Sequence, residues 1–168
     1  MSMTTNQKRG GAAILVAGAS LLSFVALWEG DERVAYADKL AYGVPTVCNG
    51  HTGPDVKVGD VWTKAQCDAI LVKNIEKHGH GLLRCTTVPL NQNQYDALAA
   101  WTFNIGVGAA CGSTLVKLLN QGSYTSACNQ LTRWNRAGGR EVQGLTNRRK
   151  AERELCLKPI TPTEKALA

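Results

Sequence analysis

Seventeen consecutive residues, Ala12 to Trp28, carry no charge, and Glu29 follows them directly. Lys8 and Arg9 stand just ahead of the run. As one helix it would be roughly 26 Å long, slightly short of the ~30 Å hydrocarbon core of a bilayer. Nine of its residues are large and apolar and eight are Ala, Gly or Ser, so it is a weak spanning segment. The flanking cations predict that the N-terminus stays cytoplasmic. Four readings follow: a cleaved signal peptide, a permanent anchor, an anchor weak enough to leave the bilayer, or a buried core helix. Small-residue cleavage sites exist, including Ala35-Tyr36-Ala37, but cleavage there would discard Glu29.

The remaining length suits one compact domain, and the 44% hydrophobic content excludes intrinsic disorder. Six cysteines in 168 residues point to an oxidising compartment, with metal binding as the competing use. The net charge of +6 is uneven. Leu131 to Lys158 holds eight basic residues (Arg133, Arg136, Arg140, Arg148, Arg149, Lys150, Arg153, Lys158) against three acids, which supplies +5 of it. Such a stretch favours polyanions, namely nucleic acid, anionic lipid or cell-wall polymer, or else is a solvated helix face.

Along the chain, Glu29 to Asp60 is rich in Gly, Pro, Tyr and Thr and predicts turns with a small antiparallel hairpin or meander. Thr63-Lys64-Ala65-Gln66 is a capping box that opens a helix carrying Ile70, Leu71 and Ile75. His78 and His80 flank Gly79 and are expected in a surface turn after that helix. Asn91 caps a further helix with Tyr95, Leu98, Ala99 and Phe103 at helical spacing, broken by Gly106 and Gly108. Ser113 opens a helix through Leu119 and Ser123 another through Trp134. A last helix runs from about Thr146 to Cys156 with basic residues on its exposed side. An apolar helix, a small β region and then helices make an α+β fold with segregated parts.

Metal chemistry has little support. Cys48-Asn49-Gly50-His51 is one Cys-x-x-His, but there is no Cys-x-x-Cys and no His-Glu-x-x-His, and the other cysteines lie far apart. Gly-x-Ser-x-Gly and glycine-rich phosphate loops are absent too. Carboxylates remain. Glu29 follows Trp28 at the end of the apolar run, where apolar neighbours would raise its pKa toward what a general acid needs. Asp38 lies nine positions on, in the polar turn region, where it would stay ionised. One protonated and one ionised carboxyl across a cleft is the minimum apparatus for cleaving a glycosidic bond.

Glu29-Gly30, then Asp38 after eight intervening residues, then Gly43-Val44-Pro45-Thr46-Val47-Cys48-Asn49-Gly50-His51-Thr52-Gly53 resemble the catalytic stretch of the phage-type lysozymes, glycoside hydrolase family 24. Phe103-Asn104-Ile105-Gly106-Val107-Gly108 with Ser113-Thr114-Leu115 resembles that family's central helix-turn-helix. Arg133-Trp134 and Gly144-Leu145-Thr146-Asn147-Arg148-Arg149 with Glu152-Arg153 resemble its C-terminal signature. With the apolar N-terminus attached, the resemblance is to signal-anchor-release endolysins. One departure stands out: seven residues separate Asp38 from Thr46, more than the family usually has, so the hairpin loop is expected to bulge.

The resemblance implies a lysozyme-like α+β fold, a small β-hairpin lobe and a mostly helical lobe, with residues 1–28 as a releasable anchor and 29–168 as the catalytic domain. It implies Glu29 as general acid, Asp38 as the second carboxylate and Thr46 as the residue that positions water. Cys85 with Cys111 and Cys128 with Cys156 resemble pairs in exported relatives, which would leave Cys48 with Cys67. The implied substrate is peptidoglycan, with no cofactor, metal or nucleic acid, and with a monomer held at the host inner membrane through residues 12–28 before release to the periplasm. A membrane-tethered wall-binding module and a lytic transglycosylase are the rival readings.

Overall fold

A computed structural model describes residues 19–26, 32–39, 42–48 and 50–159. Helix α1 (Ala19–Ala26) leads into a β lobe made of strands β1 (Glu32–Asp38) and β2 (Val44–Cys48). The helical lobe follows: α2 (Lys64–Leu83), α3 (Gln92–Ile105), α4 (Val107–Cys111), α5 (Thr114–Asn120) and α6 (Tyr124–Gln130). A 3-10 turn (Leu131–Arg133), a two-residue hairpin of β3 (Arg136–Ala137) and β4 (Arg140–Glu141), and α7 (Gln143–Leu157) complete it.

β1 and β2 pair antiparallel with Tyr36 opposite Thr46, Ala37 opposite Pro45 and Asp38 opposite Val44. The hairpin closes through Gly43 N–H to the Asp38 carbonyl at 2.7 Å. Tyr42 (φ 55) and Gly43 (φ 82) both turn left-handed there. A register shift lies between Glu32 and Tyr36, inside the ladder. Residues 59–62 run along the other edge of β1, with Val34 bridged to Val61. Beneath this lobe Ala35, Val47, Cys48, Val56 and Cys67 form a small core with Trp62 against it. So few apolar groups hold little on their own. The Cys48–Cys67 disulfide, which ties β2 to α2 across 19 positions, adds about 3 kcal/mol in the loop-closure picture.

The helical lobe starts as the caps predict. Thr63 and Gln66 form a reciprocal capping box on α2, and Asn91 and Gln94 form another on α3. Ser113 accepts the Val116 N–H at the start of α5. α3 is buried from Tyr95 to Thr102 on all sides, with Trp101 at the centre of the larger core and Tyr95 in a second one. Burial pushes the Tyr95 phenol above its ordinary pKa, with the Asp96 and Glu76 charges adding to the effect, so it stays neutral in the core. Leu21 and Val25 of α1 are fully buried in that second core with Leu71, Ile75, Ala99 and Ala100. Such burial stabilises by roughly 1.5–3 kcal/mol per side chain. No helix among the described residues is long and apolar enough to cross a membrane.

Two expectations are corrected. α2 does not stop before His78: it continues to Leu83, and both histidines lie on it. Gly79 and Gly81 are close-approach sites within this helix. A Cβ on Gly79 would meet the Tyr95 hydroxyl, and one on Gly81 would meet Val107. His78 is half-buried with its ring edge-on to Phe103, centroids 5.4 Å apart. The second correction concerns α7, whose basic residues are not all on an exposed side. Arg148 and Arg149 are buried with Glu152, at 4%, 0% and 0% exposure. α7 packs this face on α3, so the charges are taken out of water as a paired group. Exposed basic side chains remain at Arg133, Arg136, Arg140, Lys150 and Lys158.

Candidate active site

The hairpin positions two of the three expected site residues. Asp38 ends β1 and is half-buried, and Thr46 in β2 is buried at 3% exposure. Residues opposite one another in an antiparallel pair share a face, as do residues two apart on one strand. Tyr36 opposite Thr46 and Asp38 opposite Val44 therefore put Asp38 and Thr46 on one face as diagonal neighbours. Such a diagonal spans ~7–8 Å, enough for a water between the two side chains. The Thr46 hydroxyl donates to the Val44 carbonyl at 3.0 Å, which fixes its rotamer and leaves its lone pairs to accept. Glu29 lies outside the described residues.

The segment after Thr46 is braced from three directions. Val47 and His51 exchange backbone hydrogen bonds at 3.0 and 2.9 Å, closing a turn in which Cys48 (φ 55) and Gly50 (φ 83) are left-handed. Cys48 is bonded to Cys67 on α2. The His51 ring packs on Trp62 with centroids 5.5 Å apart, and its Nε2 lies 3.2 Å from the Asp55 carboxylate. That hydrogen bond from His51 is the main reason the Asp55 carboxyl is held below its ordinary pKa. His51 thus belongs to a structural clasp at the base of the hairpin. Its place in Gly50-His51-Thr52-Gly53 was visible in sequence, but its partner four residues on was not.

The cysteines are fully accounted for. Cys48–Cys67, Cys85–Cys111 and Cys128–Cys156 are all disulfides, and no free cysteine remains. The pairing implied by the family resemblance is the one found. Among the described residues no group of three or more His, Cys, Asp or Glu side chains converges as a metal site.

Sequence reading missed the buried ion cluster at the α3–α7 contact. Arg148 Nε lies 3.1 Å from Glu152 Oε1, Arg149 Nη1 lies 3.2 Å from Glu152 Oε2, and Arg149 donates to the Asn104 side-chain oxygen at 2.7 Å. The cluster holds the C-terminal end of α3 against α7. The signal was present: Glu152 stands three and four positions after the two arginines, on one helix face.

The chain is similar to known proteins in sequence and fold. The phage lysozyme family matches residues 26–152. The SAR-endolysin of Enterobacteria phage P21 is 40% identical over 149 residues, covering 88% of this chain and 90% of its own. That of Pseudomonas phage phiKMV is 40% identical over 158 residues, covering 92% of this chain and 94% of its own. A crystal structure of a P22 lysozyme mutant superposes with a TM-score of 0.76 at 31% identity, covering 86% of this chain and all of that one. The chain belongs to the phage lysozyme family and is a lysozyme-type hydrolase.

Proposed function

We propose that the protein is a phage endolysin that hydrolyses the β-1,4 bond between N-acetylmuramic acid and N-acetylglucosamine in peptidoglycan. The observation that carries this reading is the hairpin register, which sets Asp38 and Thr46 diagonally on one face. Glu29 protonates the leaving glycosidic oxygen. Asp38 activates water or stabilises the oxocarbenium-like state, and Thr46 orients the attacking water. No metal or cofactor takes part. The test is product mass after digestion of purified peptidoglycan. Hydrolysis gives reducing N-acetylmuramic acid ends, each one water heavier than the anhydro ends a transglycosylase leaves. Anhydro ends would assign the chain to transglycosylation, and intact glycan would make it a wall-binding module.

The N-terminal run provides control in this reading. While residues 12–28 span the inner membrane, Glu29 is held at the bilayer face, away from Asp38. When the weak anchor leaves, the segment packs on the domain and completes the cleft. Support comes from the contiguity of the run with Glu29 and from Leu21 and Val25, which have buried positions available beside α2 and α3. Replacing Gly18, Ser20 and Ser23 by Leu strengthens the anchor at the bilayer. Cells expressing that variant should lyse much later than cells expressing the parent, with the protein retained in the membrane fraction. Equally rapid lysis would show that release is not the control step.

A further inference from the structure

Six of the eight exposed large apolar side chains among the described residues lie between Val34 and Val61, in the β lobe. Two of the six are aromatic, Tyr36 and Tyr42. Tyr42 is the extreme case, fully exposed at the tip of the β1–β2 hairpin. Its backbone is left-handed (φ 55), a conformation that bulky side chains avoid at a cost of order 1 kcal/mol. Glycine would be at ease there. Retaining an aromatic ring at a strained, solvated position gives no stability, so the ring is there for something outside the chain.

The position says what. Tyr42 directly precedes Gly43, whose N–H is bonded to the Asp38 carbonyl at 2.7 Å, so the ring stands at the end of the hairpin that carries Asp38. β-1,4-linked pyranoses present flat faces of axial C–H groups, which stack on an aromatic ring. A lipid surface is the competing partner for exposed apolar groups. The lobe offers it no cationic help: Glu32, Asp38, Asp55 and Asp60 offset Arg33, Lys39 and Lys57.

Resting on the muramidase reading above, we propose that Tyr42 is a glycan-stacking residue that holds a sugar ring of the peptidoglycan strand beside Asp38. It adds a binding contact to the Glu29, Asp38 and Thr46 machinery.

The test compares Tyr42→Ala, Tyr42→Gly and Tyr42→Phe with the parent full-length chain on solubilised, uncrosslinked glycan strands, by steady-state kinetics and by direct binding of the same strands. Losing the stack should raise KM and weaken binding about 3- to 10-fold for Ala and Gly, with the loss concentrated in KM rather than kcat. Tyr42→Phe, which keeps the ring face, should restore both. Tyr42→Gly suits φ 55 and remains folded, so its loss is not one of structure. Parent-like KM and binding in Ala and Gly would overturn the proposal. The same result with weaker retention on phosphatidylethanolamine–phosphatidylglycerol vesicles would assign the ring to lipid instead. A parent that binds the strands without cutting them refutes the muramidase reading alone, because the Tyr42 comparison is then read from binding. A parent that does neither refutes both.

Discussion

Glu152→Gln should destabilise the protein by about 3–5 kcal/mol, the largest stability loss expected from a single isosteric change here. Glu152 is fully buried and its two oxygens lie 3.1 and 3.2 Å from Arg148 Nε and Arg149 Nη1. Gln keeps the shape but removes the negative charge, which leaves two buried guanidinium groups without that carboxylate's charge. Arginine does not shed its proton at any ordinary pH, so the charge cannot be relieved by titration. The measurement is the denaturant midpoint at constant m-value. Asp68→Asn serves as the contrast. The Lys64–Asp68 pair is shorter still at 2.7 Å but its side chains are 70% and 54% exposed. Its loss should change stability by no more than about 0.5 kcal/mol. If both variants lose similarly little, the buried cluster is not the clamp between α3 and α7.

This cluster also shows where sequence reading stops. Helix starts were legible because capping is local: Thr63 with Gln66, Asn91 with Gln94, and Ser113 each act within three residues. The C-terminal end of α2 and the faces of α7 were not. His78 and His80 read as turn residues, yet α2 passes through them to Leu83, with Gly79 and Gly81 where Tyr95 and Val107 occupy the space a side chain would need. Arg148 and Arg149 read as surface cations, yet Glu152 and Asn104 let them be buried. In both cases the deciding partner comes from another element or another turn. The hairpin of β3 and β4 went unread because its strands are two residues long, although Gly138-Gly139 (φ 57 and 78) is a recognisable turn pair.

The candidate site was more legible than the core around it. Asp38 and Thr46 were identified by their place in a motif, and the register sets them on one face without any bulge between Tyr36 and Asp38. The longer spacing between them leaves Asp38 paired with Val44, and the ladder irregularity falls earlier, between Glu32 and Tyr36. What spacing alone did not convey was the bracing. The Cys48–Cys67 bond and the His51 clasp both hold the strand that carries Thr46. A β lobe with so small a core depends on such ties to keep its hairpin in place.

Glu29→Gln and Asp38→Asn should each abolish nearly all wall degradation while leaving the fold intact. Neither substitution changes side-chain volume appreciably. Each removes one proton-transfer or charge function, and such functions are worth about 10²–10⁴-fold in rate. Glu29→Gln cannot donate a proton to the leaving oxygen. Asp38→Asn carries no charge to activate water or to face the oxocarbenium-like state. In the proposed mechanism the two groups act in one transition state, so the double variant should be hardly worse than either single one. Unfolding midpoints close to the parent's would show that the loss is chemical.

The most direct measurement is turbidity loss of cells with exposed walls, treated with equal amounts of purified, folded parent, Glu29→Gln and Asp38→Asn. The parent should clear the suspension, and each variant should clear it at least about 100-fold more slowly. Clearing at the parent's rate by either variant would contradict the assignment of that carboxylate, and with it the two-carboxylate mechanism.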